Sequence, residues 1–191
     1  MSENLTGNLR PAMFEAERLT HKIIAVLVGT LVLAVASQIA VPMVPVPITM
    51  QTFAVTMIGA LYGWRLGLFT VLAWLGEAAI GLPVLANGTG GVSVFFGPTA
   101  GYLFAFPLMA AMVGFATERF VSSERLVATS LLHLGANILC LLVGSLWLAN
   151  LIGAEKALFA GFVPFVLGAI LKSVLAAACL AAVAIRLKRR A

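Results

Sequence analysis

The chain has 191 residues, of which 62% are hydrophobic and 10% charged. A soluble domain carries roughly a quarter charged residues, so this chain cannot cover a water-facing surface, and a lipid bilayer is the solvent that fits. Its net charge of +5 comes without interleaved basic and aromatic residues, which excludes a nucleic-acid face, and its length predicts one domain over 1–191.

Residues 1–22 are polar and lack an apolar core, which argues against a secretory signal. A spanning helix needs about 20 mostly apolar residues. Ile23 to Val41 is the first such run. Met50 to Tyr62 is a short second, which crosses only if other helices bury it or its polar flanks contribute. Leu66 to Leu82, Pro98 to Ala116, Leu126 to Leu151 and Phe162 to Leu187 complete an all-α bundle of six transmembrane helices over 23–187, ahead of a basic tail at 188–191.

Basic residues orient the bundle. Arg10, Arg18 and Lys22 precede the first helix, Arg65 lies between the second and third, and Arg119 and Arg125 lie between the fourth and fifth. Arg186, Lys188, Arg189 and Arg190 close the chain, whereas the alternate connections hold Lys156 alone. The positive-inside rule then places both termini of this multi-pass protein in the cytoplasm.

The outward connections are the unusual ones. Val41 to Thr49 carries three prolines, which favour extended backbone. Leu82 to Thr99 is glycine-rich yet carries Val92, Val94, Phe95 and Phe96. Irregular backbone survives at membrane depth only where protein buries it or it lines a cavity, so both segments are expected to fold back as lids over a substrate cavity.

Apart from Arg186 at the very end of the last, two charged residues fall inside the predicted spans, Glu77 and Lys172. Such a charge costs about 2.5–3.5 kcal/mol on insertion scales and usually marks a cavity or a functional partner. The bland alternative is a structural Glu77–Lys172 ion pair. An anionic ligand needs a cation, and Lys172 is the one available in the membrane interior. Thr49, Gln51, Asn87, Ser93, Thr99 and Tyr102 are candidates to orient such a ligand, with Trp74, Phe53, Phe95 and Phe96 as walls. His133 and Asn137 share a helix face and suit interhelical hydrogen bonding better than a proton relay. Cys140 and Cys179 sit in apolar runs and read as small hydrophobes, neither disulfide nor metal pair. No nucleophile–base spacing, phosphate-binding loop or metal motif stands out, so neither catalysis, a metal nor a cofactor is expected.

Small residues recur at four-residue spacing, Ala25 with Gly29 and Ala36 with Ala40 in the first helix, and Gly59, Gly63 and Gly67 further on. Such spacing lets backbones approach closely, within the bundle or against a partner.

Several runs carry a resemblance. Val46 to Ala54 (Val-Pro-Ile-Thr-Met-Gln-Thr-Phe-Ala), Gly63 to Gly67, Ile80 to Gly88 with Gly90 and Gly91, Gly97 to Tyr102, Phe106-Pro107, and Pro164 to Gly168 with Lys172 resemble, in that order, the BioY family of biotin transporters. The resemblance implies a biotin-binding S component of an energy-coupling factor transporter, with its ligand in an outward cavity under the lids. It implies as partners a membrane coupling protein and cytosolic ATPases, docked through the face of Ala25, Gly29, Ala36 and Ala40, and it leaves a homo-oligomer open. The expected ligand-binding set is Lys172, Asn87, Gln51, Glu77, Tyr102, Thr49, Trp74 and, through the Ile80 to Gly88 run, Gly88. The family usually has an acid three positions before this lysine, where this chain has Ala169. Glu77, Asn87 or Gln51 is expected to take over, Glu77 foremost. An S component for thiamine or riboflavin is the neighbouring alternative, and a membrane enzyme built on Glu77 and His133 the remote one.

Overall fold

The structure is a computed structural model that describes residues 19–121 and 125–188. Arg10, Arg18, Arg189 and Arg190, with most of the polar leading segment, lie outside the described residues. In a bilayer the backbone must satisfy its own hydrogen bonds, and the described chain is accordingly almost all helix. Helix α1 is Leu19–Gln38, α2 Gln51–Ala79, α3 Ala100–Arg119 and α4 Leu126–Ile152. Helix α5, Ala154–Ala157, runs through a π turn at Leu158–Phe162 into α6, Val163–Lys188. Five helical stretches among the described residues are long and apolar enough to cross a membrane, the last being Ala154–Arg186.

The second and third predicted helices merge into the single 29-residue element α2, which ends at Ala79, short of the predicted Leu82. Gly63 breaks it, with φ 77° and ψ 171°, a conformation open essentially to glycine alone. Beyond the break the chain returns along itself, since a Cβ built on Gly67 would lie 3.0 Å from the Cα of Gly59. Gly59 in turn abuts the Ala110 backbone and Gly114 the Trp64 backbone, so α2 and α3 form the most extensive helix contact. The glycine period marks backbone contact inside the bundle.

Helix α1 turns its small residues inward too. Ala25, Gly29 and Ala36 are buried, and a Cβ on Gly29 would strike Thr70 and Tyr62 of α2. The expectation of an outward docking stripe is corrected by this packing, because these residues are spent inside the bundle. Leu27, Val28, Leu31 and Val35 form the exposed face instead.

The first predicted helix stops at Gln38, short of Val41. Ala40–Val41 (β1) pairs antiparallel with Ile48–Thr49 (β2), with Ala40 opposite Thr49 and Val41 opposite Ile48. Val41 precedes Pro42, and a residue before proline is steered from helix to extended backbone. At the far end the last helix begins before the predicted Phe162. Its π turn lies just ahead of Pro164, whose missing N–H denies the preceding turn one donor.

Candidate binding cavity

Both apolar loops fold onto the helices at the same end. Val46, between β1 and β2, is buried at 4% exposure, and Leu85, in the loop after α2, at 2%. The second loop is pinned from several sides. Trp74 Nε1 donates to the Val84 carbonyl at 3.1 Å, Gln38 Nε2 to that of Leu85 at 3.0 Å, and Trp147 Nε1 to that of Gly97 at 3.0 Å. The Gly91 N–H reaches the Ala78 carbonyl at 2.7 Å. Asn87 sits at the turn with φ 57°, a left-handed conformation that asparagine tolerates better than most residues.

Beneath these loops lies a cavity of about 300 Å³, at the lower end of the range for small-molecule sites. Val46, Leu85, Phe106, Leu141 and Phe165 give it apolar walls. Lys172 is the only charged residue lining it among the described residues; no Asp or Glu does. Lys172 Nζ donates to the Thr49 carbonyl at 2.6 Å and to Thr52 Oγ1 at 3.2 Å. An ammonium has three N–H bonds, so one remains for a ligand, and the charge is met by neutral groups only.

The predicted residues divide in two. Lys172, Asn87, Gln51, Tyr102, Thr49 and Thr99 line the cavity. Gln51 is buried and committed at both ends of its amide: Oε1 accepts from Thr49 Oγ1 at 2.9 Å and Nε2 donates to Ser37 Oγ at 3.1 Å. The Tyr102 hydroxyl donates to Gly161 O in the π turn at 2.7 Å, leaving its oxygen able to accept.

Glu77, Gly88, Trp74, Ser93, Phe53, Phe95 and Phe96 are not among the lining residues. Trp74 is fully buried one layer behind, stacked on the wall residue Phe106 with ring centroids 5.9 Å apart. Gly88 gives its N–H to Gln38 Oε1 at 3.1 Å, so it fastens the lid to α1. Phe96 is exposed. Glu77 is half-buried on α2, and Lys172 bonds to Thr49 and Thr52 instead; Glu77 forms neither the alternative ion pair nor the expected replacement for an acid at Ala169.

Sequence reasoning missed Thr52 and gave Asn137 the wrong emphasis. Thr52 is adjacent to Gln51 and had no charge or period to mark it. Asn137 does bond across helices, from Nδ2 to Ser173 Oγ on α6 at 3.3 Å, but it also lines the cavity. His133 lies one turn below, fully buried, and neither ring nitrogen has a hydrogen-bond partner among the described residues.

Comparison with known proteins bears on this geometry. The family model described as the BioY family matches residues 4–189. The biotin transporter BioY of Thermotoga maritima is 36% identical over 161 residues, covering 84% of this chain and 91% of that protein. The biotin transporter BioY2 of Lactococcus lactis subsp. cremoris is 32% identical over 157 residues, covering 81% and 85%. Among solved structures, the S-component for biotin from an ECF-type ABC transporter superposes with a TM-score of 0.77 at 26% identity, covering 91% of this chain and 95% of that one.

Proposed function

The chain belongs to the BioY family, and on that premise we propose that it is the biotin-binding S component of an energy-coupling factor uptake transporter. One observation carries the reading at the level of chemistry. A lidded, mostly apolar cavity holds one uncompensated cation, Lys172, and several amides and hydroxyls. Biotin brings an aliphatic tail and ring sulfur for the walls, a carboxylate whose charge Lys172 offsets, and a ureido group that needs donors and acceptors. Nothing in the cavity favours thiamine, a cation that Lys172 would repel.

We read the bundle as one domain of six crossings, counting the legs of α2 on either side of Gly63 separately, with both termini cytoplasmic in the inner membrane. The distribution of charge supports this. Lys22 lies in the first turn of α1, Arg65 follows the Gly63 break, Arg119 and Arg125 flank the link from α3 to α4, and Arg186 is near the end of α6. Glu118 Oε1 accepts from the Trp64 N–H at 3.2 Å, which brings two of these links together. The cavity loops belong to the alternate set of connections, so the ligand enters from outside.

The partners this reading implies are a membrane coupling protein with cytosolic ATPases, as for the S-component of the ECF-type transporter that the chain resembles. The exposed aliphatic face of α1 and the basic end of the bundle are the surfaces left for them. As a transporter subunit the chain would move biotin unchanged. Titrating purified protein with biotin, thiamine and riboflavin tests the reading: saturable binding of biotin alone is expected, and preference for another vitamin would overturn it.

A further inference from the structure

We infer that Asn137 is a specificity-determining residue, whose side-chain oxygen accepts from a ureido N–H of the ligand; the inference rests on the biotin reading above. Among the described residues no carboxylate lines the cavity, so a ligand N–H must be met by a neutral acceptor. Asn137, in the middle of α4, lines the cavity and is itself only 3% exposed. Both hydrogens of its amide are committed, one to the His133 carbonyl at 2.9 Å and one to Ser173 Oγ at 3.3 Å.

Those bonds set which way the amide faces. A backbone carbonyl can only accept, so the nitrogen must face His133 and the oxygen must face away. No described residue donates to that oxygen, and it is not among the enclosed unpartnered atoms. It is therefore an open acceptor on a cavity-lining residue. Ser173 makes the orientation firm, because its hydroxyl hydrogen goes to the Ala169 carbonyl at 2.7 Å, leaving its oxygen to receive the Asn137 amide. Ser173 is thus a positioning residue.

The other amides serve less well. Gln51 Oε1 already accepts from Thr49, and Asn87 is carried by an exposed loop rather than a helix. Biotin has N–H donors only in its ureido ring, so the acceptor at Asn137 reads that end. A rigid, oriented acceptor rejects a ligand that lacks the matching donor more strongly than an apolar wall can.

The test is a cycle between protein and ligand, using biotin and its two mono-N-methylated ureido isomers, titrated against wild type, Asn137→Ala and Ser173→Ala. Wild type is expected to prefer biotin to one isomer by at least about tenfold. In Asn137→Ala that preference should collapse toward unity, chiefly through weaker binding of biotin. Ser173→Ala, which keeps every cavity-lining side chain, should narrow it by about threefold. Unchanged preference in Asn137→Ala, or a parallel loss for all three ligands, overturns the inference. If Asn137→Ala does not fold, Ser173→Ala decides, and an undiminished preference there overturns it equally. Wild-type protein that binds no biotin overturns the functional reading instead, and the two failures are distinguishable.

Discussion

Lys172 Nζ stands 2.6 Å from the carbonyl oxygen of Thr49, joining the one charged group that lines the cavity among the described residues to the strand that leads into α2. A backbone oxygen and a threonine hydroxyl orient the ammonium without neutralising it. That distinction matters in a membrane protein, where a pair with Glu77 would have produced a structural tie and no attraction for an anion. The same contact ties Lys172 to the loop above the cavity, because Thr49 ends both β2 and the proline-rich segment.

Glu77→Gln is expected to leave biotin affinity within about twofold of wild type, since Glu77 does not line the cavity and surface-type changes are usually worth less than ~0.5 kcal/mol. Calorimetric titration checks this. A tenfold loss would return Glu77 to the site and contradict the placement given above.

Trp74→Phe keeps an aromatic ring beside Phe106 but removes the bond to the Val84 carbonyl and leaves a small void where the fully buried indole packed. A neutral hydrogen bond contributes about 1 kcal/mol, so roughly a fivefold faster biotin release is expected from a less firmly held lid. Stopped-flow chase experiments read this directly. An unchanged release rate would mean that the loop is held without the indole.

Gly63→Ala forces a side chain into a backbone conformation that essentially only glycine adopts, beside the Glu118 carboxylate. Strain of this kind costs of order 1–3 kcal/mol, so thermal unfolding in detergent should move down by several degrees. Gly135→Ala is the matched control. It lies within α4 with nothing near its would-be Cβ, and helix propensity makes that change neutral to slightly stabilising.

Much of this arrangement was legible in the residues. Apolar runs located the long helices but not the turns from Ala154 that open the last one, and prolines 42, 45 and 47 with the glycines around Asn87 announced loops that belong to a cavity. What escaped was facing. Ala25 and Gly29 have a period equally suited to an internal or an external partner, and only the approach of Thr70 and Tyr62 decides between them. Glu77 and Lys172 were singled out by the cost of burying charge, a rule that marks depth in the membrane but not direction. Asn137 and Thr52 carry no charge, and their place at the cavity depends on how α2, α4 and α6 are rotated, which hydrophobic patterning barely constrains when lipid surrounds the bundle.

Topology has its own test. With Cys179 replaced by serine, Thr89→Cys in the exposed loop should react with a membrane-impermeant maleimide on intact cells. Arg125→Cys at the start of α4 should react only after permeabilisation. Cys140 is buried and should stay silent in both. Labelling in the reverse order would invert the orientation proposed from the basic residues.

The central claim is that Lys172 supplies the charge that holds biotin under the lids, and equilibrium titration of wild type beside Lys172→Ala tests it most directly. Charge-assisted hydrogen bonds contribute about 1.5–3 kcal/mol, so saturable binding by wild type and a loss of roughly ten- to a hundredfold in the variant are predicted. Equal affinity in the two proteins, or no binding by wild type, would contradict the account.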